Sequence, residues 1–371
     1  MGASGGGHYL RVYAIGEYLI YSPMRTAGTG RFSQYPPIPM IYLKEEVSNL
    51  PDQGLAGLKT ALQTALELEH ATIPPYLYAL YSLQPGFNQR VVEMLRSVVL
   101  EEMLHMSLCC NLLNAIGGAP VLNAPDFLPV YPGPLPGAVA GVEVPLAPIS
   151  NTLIKEVFME IEEPENPLSL PLVPGPLTIG QFYGKIKRQL EQLSHGADIF
   201  TGDPGRQLTV GWSGNELIAV RDLNTALQAI ETIVEQGEGT TTSPFDGTGE
   251  LAHYYLFESI YKGYEYLPPT DPSRPADIGA PICLDRAGIR NLITNPTPTQ
   301  YQGTPAEPLN LAFNRTYTEL LEALHATFNG QPTRIFGSIG MMRQLRTEAE
   351  DLAQVRLADG TYAGPTFTCV A

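Results

Sequence analysis

Apolar residues recur every three or four positions along two adjacent stretches of the chain, which predicts two long amphipathic helices. The first stretch runs from Leu55 to Leu83 and the second from Arg90 to Ile116. The sequence Gln-Pro-Gly-Phe-Asn at 84–88 interrupts the pattern, and Gly117-Gly118 ends the second stretch. The two stretches are therefore predicted to form an antiparallel helical hairpin.

The rest of the chain repeats this helical pattern between proline-rich segments. Prolines are concentrated between 119 and 180, and a connection of this length is expected to contain helices of its own. A second proline-rich stretch covers 267–308. The further predicted helices are Ile149–Ile161, Thr178–Gln192, Asn215–Gln236, Gly249–Gly263, 309–328 and 334–357.

These elements predict a mostly α protein with three regions. Residues 1–50 alternate short apolar and aromatic runs with Gly and Pro, which indicates an N-terminal extension of short strands or extended segments. Residues 51–266 are predicted to form a four-helix bundle, in which two helical hairpins are joined by a long crossover at 118–214. Residues 267–371 are predicted to contain a helical pair that packs on the bundle.

The charge balance of the chain disfavours one class of binding partner. The chain has 38 Asp and Glu against 22 Lys and Arg, a net charge of −16, which disfavours nucleic acid. No apolar run is long enough to span a membrane, and the N-terminus has no secretory signal. Without a Cys-x-x-Cys pair, the cysteines are expected to be free, buried thiols in a reducing cytoplasm. These cysteines are Cys109, Cys110, Cys283 and Cys369.

Glutamate stands three residues before histidine at four of the six histidines, where chance predicts about one such pair at most. On a helix, residues i and i+3 share a face, so the carboxylate and the imidazole converge on one point. Two such pairs, with one glutamate from each of two other helices, form the ligand set of di-iron carboxylate bundles. The four pairs are Glu67–His70, Glu102–His105, Glu250–His253 and Glu322–His325.

Distances from the predicted turns indicate which pairs can share a site. In the first hairpin Glu69 lies 17 residues before Gly86, and Glu102 lies 16 residues after it. Antiparallel helices therefore place Glu69, Glu102 and His105 at one level, roughly 25 Å from the turn. The neighbours of Glu102 are apolar, and a carboxylate buried there is costly unless it is paired or bound to a metal.

The second hairpin offers a similar match around its predicted turn near Pro244. Glu238 lies 6 residues before this position and Glu250 lies 6 after it. Glu235 lies 9 residues before it, as His253 lies 9 after, so the spacing leaves both Glu235 and Glu238 as candidates. This hairpin therefore also supplies one glutamate and one Glu-x-x-His pair at matched depth.

The two remaining pairs fit less well. Glu322–His325 has no matching helix and is expected to be a surface pair. Glu67 and Glu69 point about 200° apart on a helix, so both cannot face the site. Tyr76 follows Glu69 on the same face, which favours Glu69 as the ligand and leaves His70 as a supporting residue.

Several motifs together resemble the ferritin-like domain of the iminophenylpyruvate dimer synthase family. The resemblance covers roughly 55–265 and the C-terminal end of the chain. It implies a ferritin-like fold and a di-iron centre, and the family's Gln-Gly-Glu-Gly favours Glu238 over Glu235. The motifs, in order, are Leu68–Tyr76 (LEHATIPPY), Glu101–Met106 (EEMLHM), Gln236–Gly239 (QGEG), Glu250–Tyr254 (ELAHY) and Ala363–Phe367 (AGPTF). The implied metal ligands are Glu69, Glu102, His105, Glu238, Glu250 and His253.

The expected function is that of a non-haem di-iron oxidase or oxygenase of specialised metabolism. It is expected to bind two Fe ions, Fe2+ or Fe3+, and to act with O2 on a small amino-acid-derived or aromatic metabolite; Glu and His ligands also suit Mn. One alternative is oxidative coupling of imino acids, as the resembled family implies. Another is iron binding or storage without turnover. The sequence does not determine the exact substrate or the oligomeric state, and it is compatible with a homo-oligomer.

Overall fold

The computed structural model describes residues 11–15, 18–22, 41–139, 141–164, 177–211, 217–240, 243–271 and 274–370. The chain divides into two compact units, Met1–Ile38 and Pro39–Ala371. In the first unit, β1 (Arg11–Ile15) and β2 (Tyr18–Ser22) pair in antiparallel fashion, so this region contains short strands as predicted.

The second unit is mostly helical, as the apolar periodicity predicts. Its first two long helices pack against each other and confirm the predicted hairpin, and its last two helices confirm the predicted C-terminal pair. The helices are α1 (Glu45–Ser48), α2 (Gly54–Tyr81), α3 (Gln89–Ala115), α4 (Asn151–Leu153), α5 (Met159–Ile161), α6 (Ile179–Gly196), α7 (Leu223–Glu238), α8 (His253–Lys262), α9 (Ala306–Phe328) and α10 (Ile335–Leu352). Two strands, β3 (Tyr264–Leu267) and β4 (Asp277–Pro281), form a small antiparallel sheet.

Four long helices pack around one apolar core. Helix α6 contacts α2, helix α7 contacts α3, and α6 and α7 contact each other. Helix α6 lies within the predicted crossover, so the crossover supplies one helix of this group. The core between these helices consists mainly of leucine, isoleucine and alanine side chains, such as Leu62, Leu66 and Ala229.

A second, shorter helical layer lies beside α3. Helices α4 and α5 are joined by a π-helical turn, Ile154–Phe158, and Ser150 caps the start of this segment by accepting the backbone N–H of Leu153. Helix α8 packs on the π-helical turn and also contacts α3 and α7. The last residues of α5 and the first residue of α8 therefore meet close to α3.

Helix α8 begins at His253, four residues later than the predicted start at Gly249. The reason is local hydrogen bonding. The Asp246 carboxylate accepts the backbone N–H groups of Thr248 and Glu250, both at 2.9 Å, which holds this segment in a turn. Glu250 therefore precedes the helix.

A proline-containing turn of α2 is completed by a side chain from outside the helix. Pro75 has no N–H, so it leaves the carbonyl of Ala71 without its helical donor. The hydroxyl of Tyr131 donates to this carbonyl at 2.7 Å. Helix α2 therefore continues through Pro74-Pro75 to Tyr81.

One buried asparagine on α3 connects the bundle to the long crossover. The Asn111 side-chain amide donates to the carbonyls of Leu208 and Ile218, at 2.7 and 3.0 Å, and its oxygen accepts the N–H of Leu208 at 3.0 Å. We expect Asn111→Ala to lower the free energy of unfolding by about 2–4 kcal/mol, because it leaves buried backbone groups without partners. Urea unfolding monitored by circular dichroism measures this loss. The exposed Asn224 on α7 provides a control, Asn224→Ala, which should change stability little.

Two other sequence predictions can be compared with this structure. All four cysteines are free, but Cys283 and Cys369 are exposed, so the expectation of buried thiols is correct only for Cys109 and Cys110. Both exposed residues lie outside the helices, and their side chains face away from the core that the neighbouring Ile282 and Phe367 join. In the described part of the chain, no helix has the length and apolar character that crossing a membrane requires.

Candidate metal centre

Three of the predicted ligands form a buried group between α2 and α3. Glu69 lies on α2, and Glu102 and His105 lie one turn apart on α3. One ligand atom from each of the three side chains lies within 4.8 Å of the other two. The Nδ1 atom of His105 is 3.4 Å from Oε2 of Glu69. This group has the spacing and the atom types of a metal site.

A second group shares Glu102 with the first. Its other members are Glu162, which follows α5, and His253, the first residue of α8. The Nδ1 atom of His253 is 2.9 Å from Oε1 of Glu102 and 3.5 Å from Oε2 of Glu162. Glu102 therefore lies between the two groups, where a carboxylate can bind one ion with each of its oxygens.

Both histidines present the same ring nitrogen to the carboxylates. The Nε2 atom of His105 lies 2.8 Å from the side-chain oxygen of Gln236, and Nε2 of His253 lies 3.0 Å from Oε2 of Glu101. An amide oxygen and a carboxylate oxygen only accept hydrogen bonds, so each Nε2 carries a proton in the neutral ring. Each Nδ1 is then unprotonated and lies beside the carboxylates, so it is available as a metal ligand.

The surroundings of the buried Nδ1 atom of His253 indicate whether a cation fits between His253, Glu102 and Glu162. Although two carboxylate oxygens lie close to it, Nδ1 makes no hydrogen bond within the part of the chain that the structure describes. With the ring neutral and the carboxylates ionised, Nδ1 and these oxygens are all acceptors, so a proton or a cation must lie between them. A metal ion placed there would accept lone pairs from His253, Glu102 and Glu162.

The electrostatics of the group also favour a cation. Glu69, Glu102 and Glu162 are all buried, and burying carboxylates is unfavourable without compensating positive charge. Burial, together with repulsion from Glu162, raises the pKa of Glu102 to about 8. Burial also raises the pKa of Glu69, but its interactions with the His105 ring and the Tyr183 hydroxyl outweigh this effect, and the pKa of Glu69 is lowered. A bound divalent cation would supply compensating positive charge.

Hydroxyl groups hold the three carboxylates in place. The Tyr183 hydroxyl donates to Oε1 of Glu69, and the Tyr76 hydroxyl donates to Oε1 of Glu162 at 2.5 Å. The Thr72 hydroxyl lies 3.0 Å from Oε2 of Glu102. Partners of this kind fix the orientation of metal ligands and tune their affinity. Each carboxylate therefore has one oxygen held by a hydroxyl group.

Two predicted ligands lie outside these groups. Glu250 is exposed, and because it precedes α8 it has no i, i+3 relation to His253 on a helical face. Glu238 is the last residue of α7 and lines the same cavity as Glu69 and Glu102, beside Gly180, where a Cβ atom would lie 2.2 Å from Oε1 of Glu238. The rival Glu235 accepts the backbone N–H of Gly247 at 3.0 Å.

The remaining Glu-x-x-His pairs also lie away from the centre. His70 faces α9, where its Nε2 atom is 3.0 Å from the Tyr317 hydroxyl and its ring contacts Phe127. Glu322 accepts a hydrogen bond from Asn123. His70 therefore does not support a ligand of the centre directly.

Glu162 was missed because no histidine follows it. It directly follows the predicted helix Ile149–Ile161, next to Glu160 and Glu163. This helix lies in the predicted crossover, so counting residues from the two hairpin turns gives no level for its carboxylates relative to Glu102. Only the packing of this segment on α8 places Glu162 beside Glu102 and His253.

The cavity at the centre has a volume of about 70 Å³. Its walls include the metal-binding candidates Glu69, Glu102 and His105 and the further acidic residues Glu160 and Glu238. This volume suits metal ions and a small molecule such as O2.

We expect Gln236→Leu to lower metal affinity by 10- to 100-fold, because it removes the acceptor that orients the His105 ring. Anaerobic titration of the purified protein with Fe(II), followed by metal analysis, measures the change. The exposed Gln228 on the same helix supplies the control, Gln228→Leu, which should bind iron like the unmodified protein. Equal affinity in both variants would argue against this role of Gln236.

The sequence model of the family described as ferritin-like matches residues 62–262, more than half of the chain. The chain therefore belongs to the ferritin-like family. The matched region includes α2 and α3, the segment that carries Glu162, and α8 with His253. The resemblance inferred from the sequence motifs is confirmed at this level.

A named relative and a solved structure agree with this assignment. Over 89% of its length the chain is 26% identical to dichlorochromopyrrolate synthase from Lentzea aerocolonigenes, and it spans 37% of that protein. The crystal structure of a ferritin-like protein from Caulobacter vibrioides superposes with a TM-score of 0.57 at 22% identity, covering 83% of this chain and 97% of that one. The structural likeness confirms the predicted ferritin-like fold.

Proposed function

We propose that the protein is an oxidative enzyme that uses two iron ions bound between α2, α3 and α8. The observation that carries this proposal is the pair of buried ligand groups that share Glu102. The proposed ligands are Glu69 and His105 for one ion, Glu162 and His253 for the other, and Glu102 for both. When bound, two iron ions supply the chemistry of O2 reduction coupled to oxidation of a substrate.

The residues around the centre have distinct roles in this proposal. Gln236 and Glu101 hold the Nε2–H groups of the two histidines, so that both Nδ1 atoms stay available as ligands. The hydroxyl groups of Tyr183 and Tyr76 fix Glu69 and Glu162. The five proposed ligands are buried, which limits the access of bulk water to them and protects against side reactions.

The substrate class comes from the relative. Dichlorochromopyrrolate synthase is named for making dichlorochromopyrrolate, and the likeness extends over most of this chain. We therefore propose a small aromatic or amino-acid-derived metabolite as the substrate, with oxidative coupling of imino acids as the second candidate reaction. The four free cysteines support a reducing compartment such as the cytoplasm.

Anaerobic loading with Fe(II) is the first test. We expect about two iron ions per chain after desalting, and, when an aromatic imino acid is generated in the assay by an amino-acid oxidase, O2 consumption above that of the oxidase alone. Mn(II) loading under the same conditions tests the choice of metal. Absence of bound iron would overturn the proposal, and a large excess of iron per chain would indicate storage instead.

A further inference from the structure

A second cavity lies on the other side of α2 and α3 from the candidate metal centre. Its volume is about 260 Å³, and α9 and α10 close it. It shares no lining residue with the cavity at the centre. Most of its lining residues have aliphatic or thioether side chains, represented by Leu77 on α2, Met103 on α3, Leu321 on α9 and Leu345 on α10. An apolar cavity of this size exceeds the ~150 Å³ that suffices for a benzene molecule.

The lining of the cavity follows both helices of the first hairpin over several turns. Its lining on α2 extends from His70 to Tyr81, and its lining on α3 extends from Arg96 to Met106. These stretches correspond to about 15 Å along each helix at the usual rise per residue. A volume of about 260 Å³ spread over that length suits an extended alkyl chain better than a fused ring system.

Positive charge is concentrated at one end. Tyr81, Arg96 and Arg346 line both this cavity and a neighbouring one of about 250 Å³, so they mark the place where the two spaces join. Arg346 pairs with Glu350 in an exposed salt bridge at 2.8 Å, which is weak and exchangeable. Arg96 is half-buried and has no ion pair or hydrogen bond within the described ranges.

The Tyr81 hydroxyl adds a further donor at this end. It is partly buried and has no hydrogen-bond partner among the residues that the structure places. Two guanidinium groups and a hydroxyl beside an apolar channel match a carboxylate attached to a hydrocarbon chain. Guanidinium groups bind carboxylates through strong charge-assisted hydrogen bonds.

We propose that this cavity binds an unbranched medium-chain fatty acid, with the carboxylate at Arg96 and Arg346 and the alkyl chain between α2, α3, α9 and α10. The site is separate from the candidate metal centre and does not depend on the proposed reaction. An occupant in this place touches the reverse faces of the helices that carry Glu69 and Glu102.

Decanoate and decan-1-ol form a matched pair of probes, used below their aggregation concentrations in isothermal titration calorimetry. We expect decanoate to bind in the micromolar range with one molecule per chain, and Arg96→Gln to weaken it at least about tenfold. The same substitution should change decan-1-ol binding by less than about twofold, because the alcohol has no charge. Arg343→Gln, at an exposed position on α10, is the control and should leave both affinities unchanged.

A second variant tests the channel itself. Leu321→Trp places a larger side chain in the cavity and should abolish binding of both probes, with helical content checked by circular dichroism. Absence of decanoate binding to the unmodified protein would overturn the proposal. It would also be overturned if Arg96→Gln and Arg343→Gln bound decanoate equally well. Iron content should be unaffected in all of these variants, so the result does not depend on the metal centre.

Discussion

Replacing Glu102 with glutamine is expected to abolish binding of both iron ions, the largest effect of any single substitution at the centre. Glu102 is the one side chain that belongs to both ligand groups. The amide keeps the size of the side chain but lacks its negative charge, and its nitrogen cannot act as a metal ligand in this position. Iron per chain after anaerobic loading and desalting should fall from about two to near zero.

The loss of iron in Glu102→Gln must result from the missing ligand and not from unfolding of the protein. Since burying Glu102 is unfavourable without a cation, the metal-free variant should retain its helical content and melt no earlier than the metal-free parent protein. Glu93→Gln, an exposed position on the same helix, provides the matched control and should bind iron normally. Retention of two ions by Glu102→Gln would remove the basis of the shared-ligand arrangement.

The first hairpin shows where sequence reasoning is strong. Its apolar periodicity is long and regular, and the turn at 84–88 is clear, so the depth of Glu69 relative to Glu102 could be counted from the sequence. The structure places the two carboxylates and His105 within one group. Both the helical periodicity and the Glu-x-x-His spacing depend only on local geometry, which the sequence contains.

The second half of the site shows where this reasoning fails. Glu250 and His253 share a face only if one helix contains both residues. The turn held by the Asp246 carboxylate prevents this, because α8 begins only at His253. Which helix approaches Glu102 from the crossover depends on tertiary packing, and no local pattern shows that the π-helical segment brings Glu162 there. The motif Gln-Gly-Glu-Gly nevertheless marks a functional position, since its glutamine orients His105.

The contrast between Glu162 and Glu250 gives the second large expected effect. Glu162→Gln should reduce bound iron from about two ions to about one per chain, because it removes a charged ligand from the group that contains His253 and leaves Glu69 and His105 intact. Glu250→Gln, whose carboxyl group is exposed, should keep both ions. Metal analysis of the two purified variants, loaded side by side, measures the difference.

The outcome also decides between two ligand sets. Loss of an ion in Glu250→Gln, with full occupancy in Glu162→Gln, would mean that metal binding extends α8 by one turn and brings Glu250 to the face of His253.

Glu238→Gln completes the comparison, because Glu238 lines the cavity without joining either group. If Glu238 lines the cavity without binding metal, Glu238→Gln keeps two ions and alters substrate binding instead. A ligand role for Glu238 predicts loss of one ion.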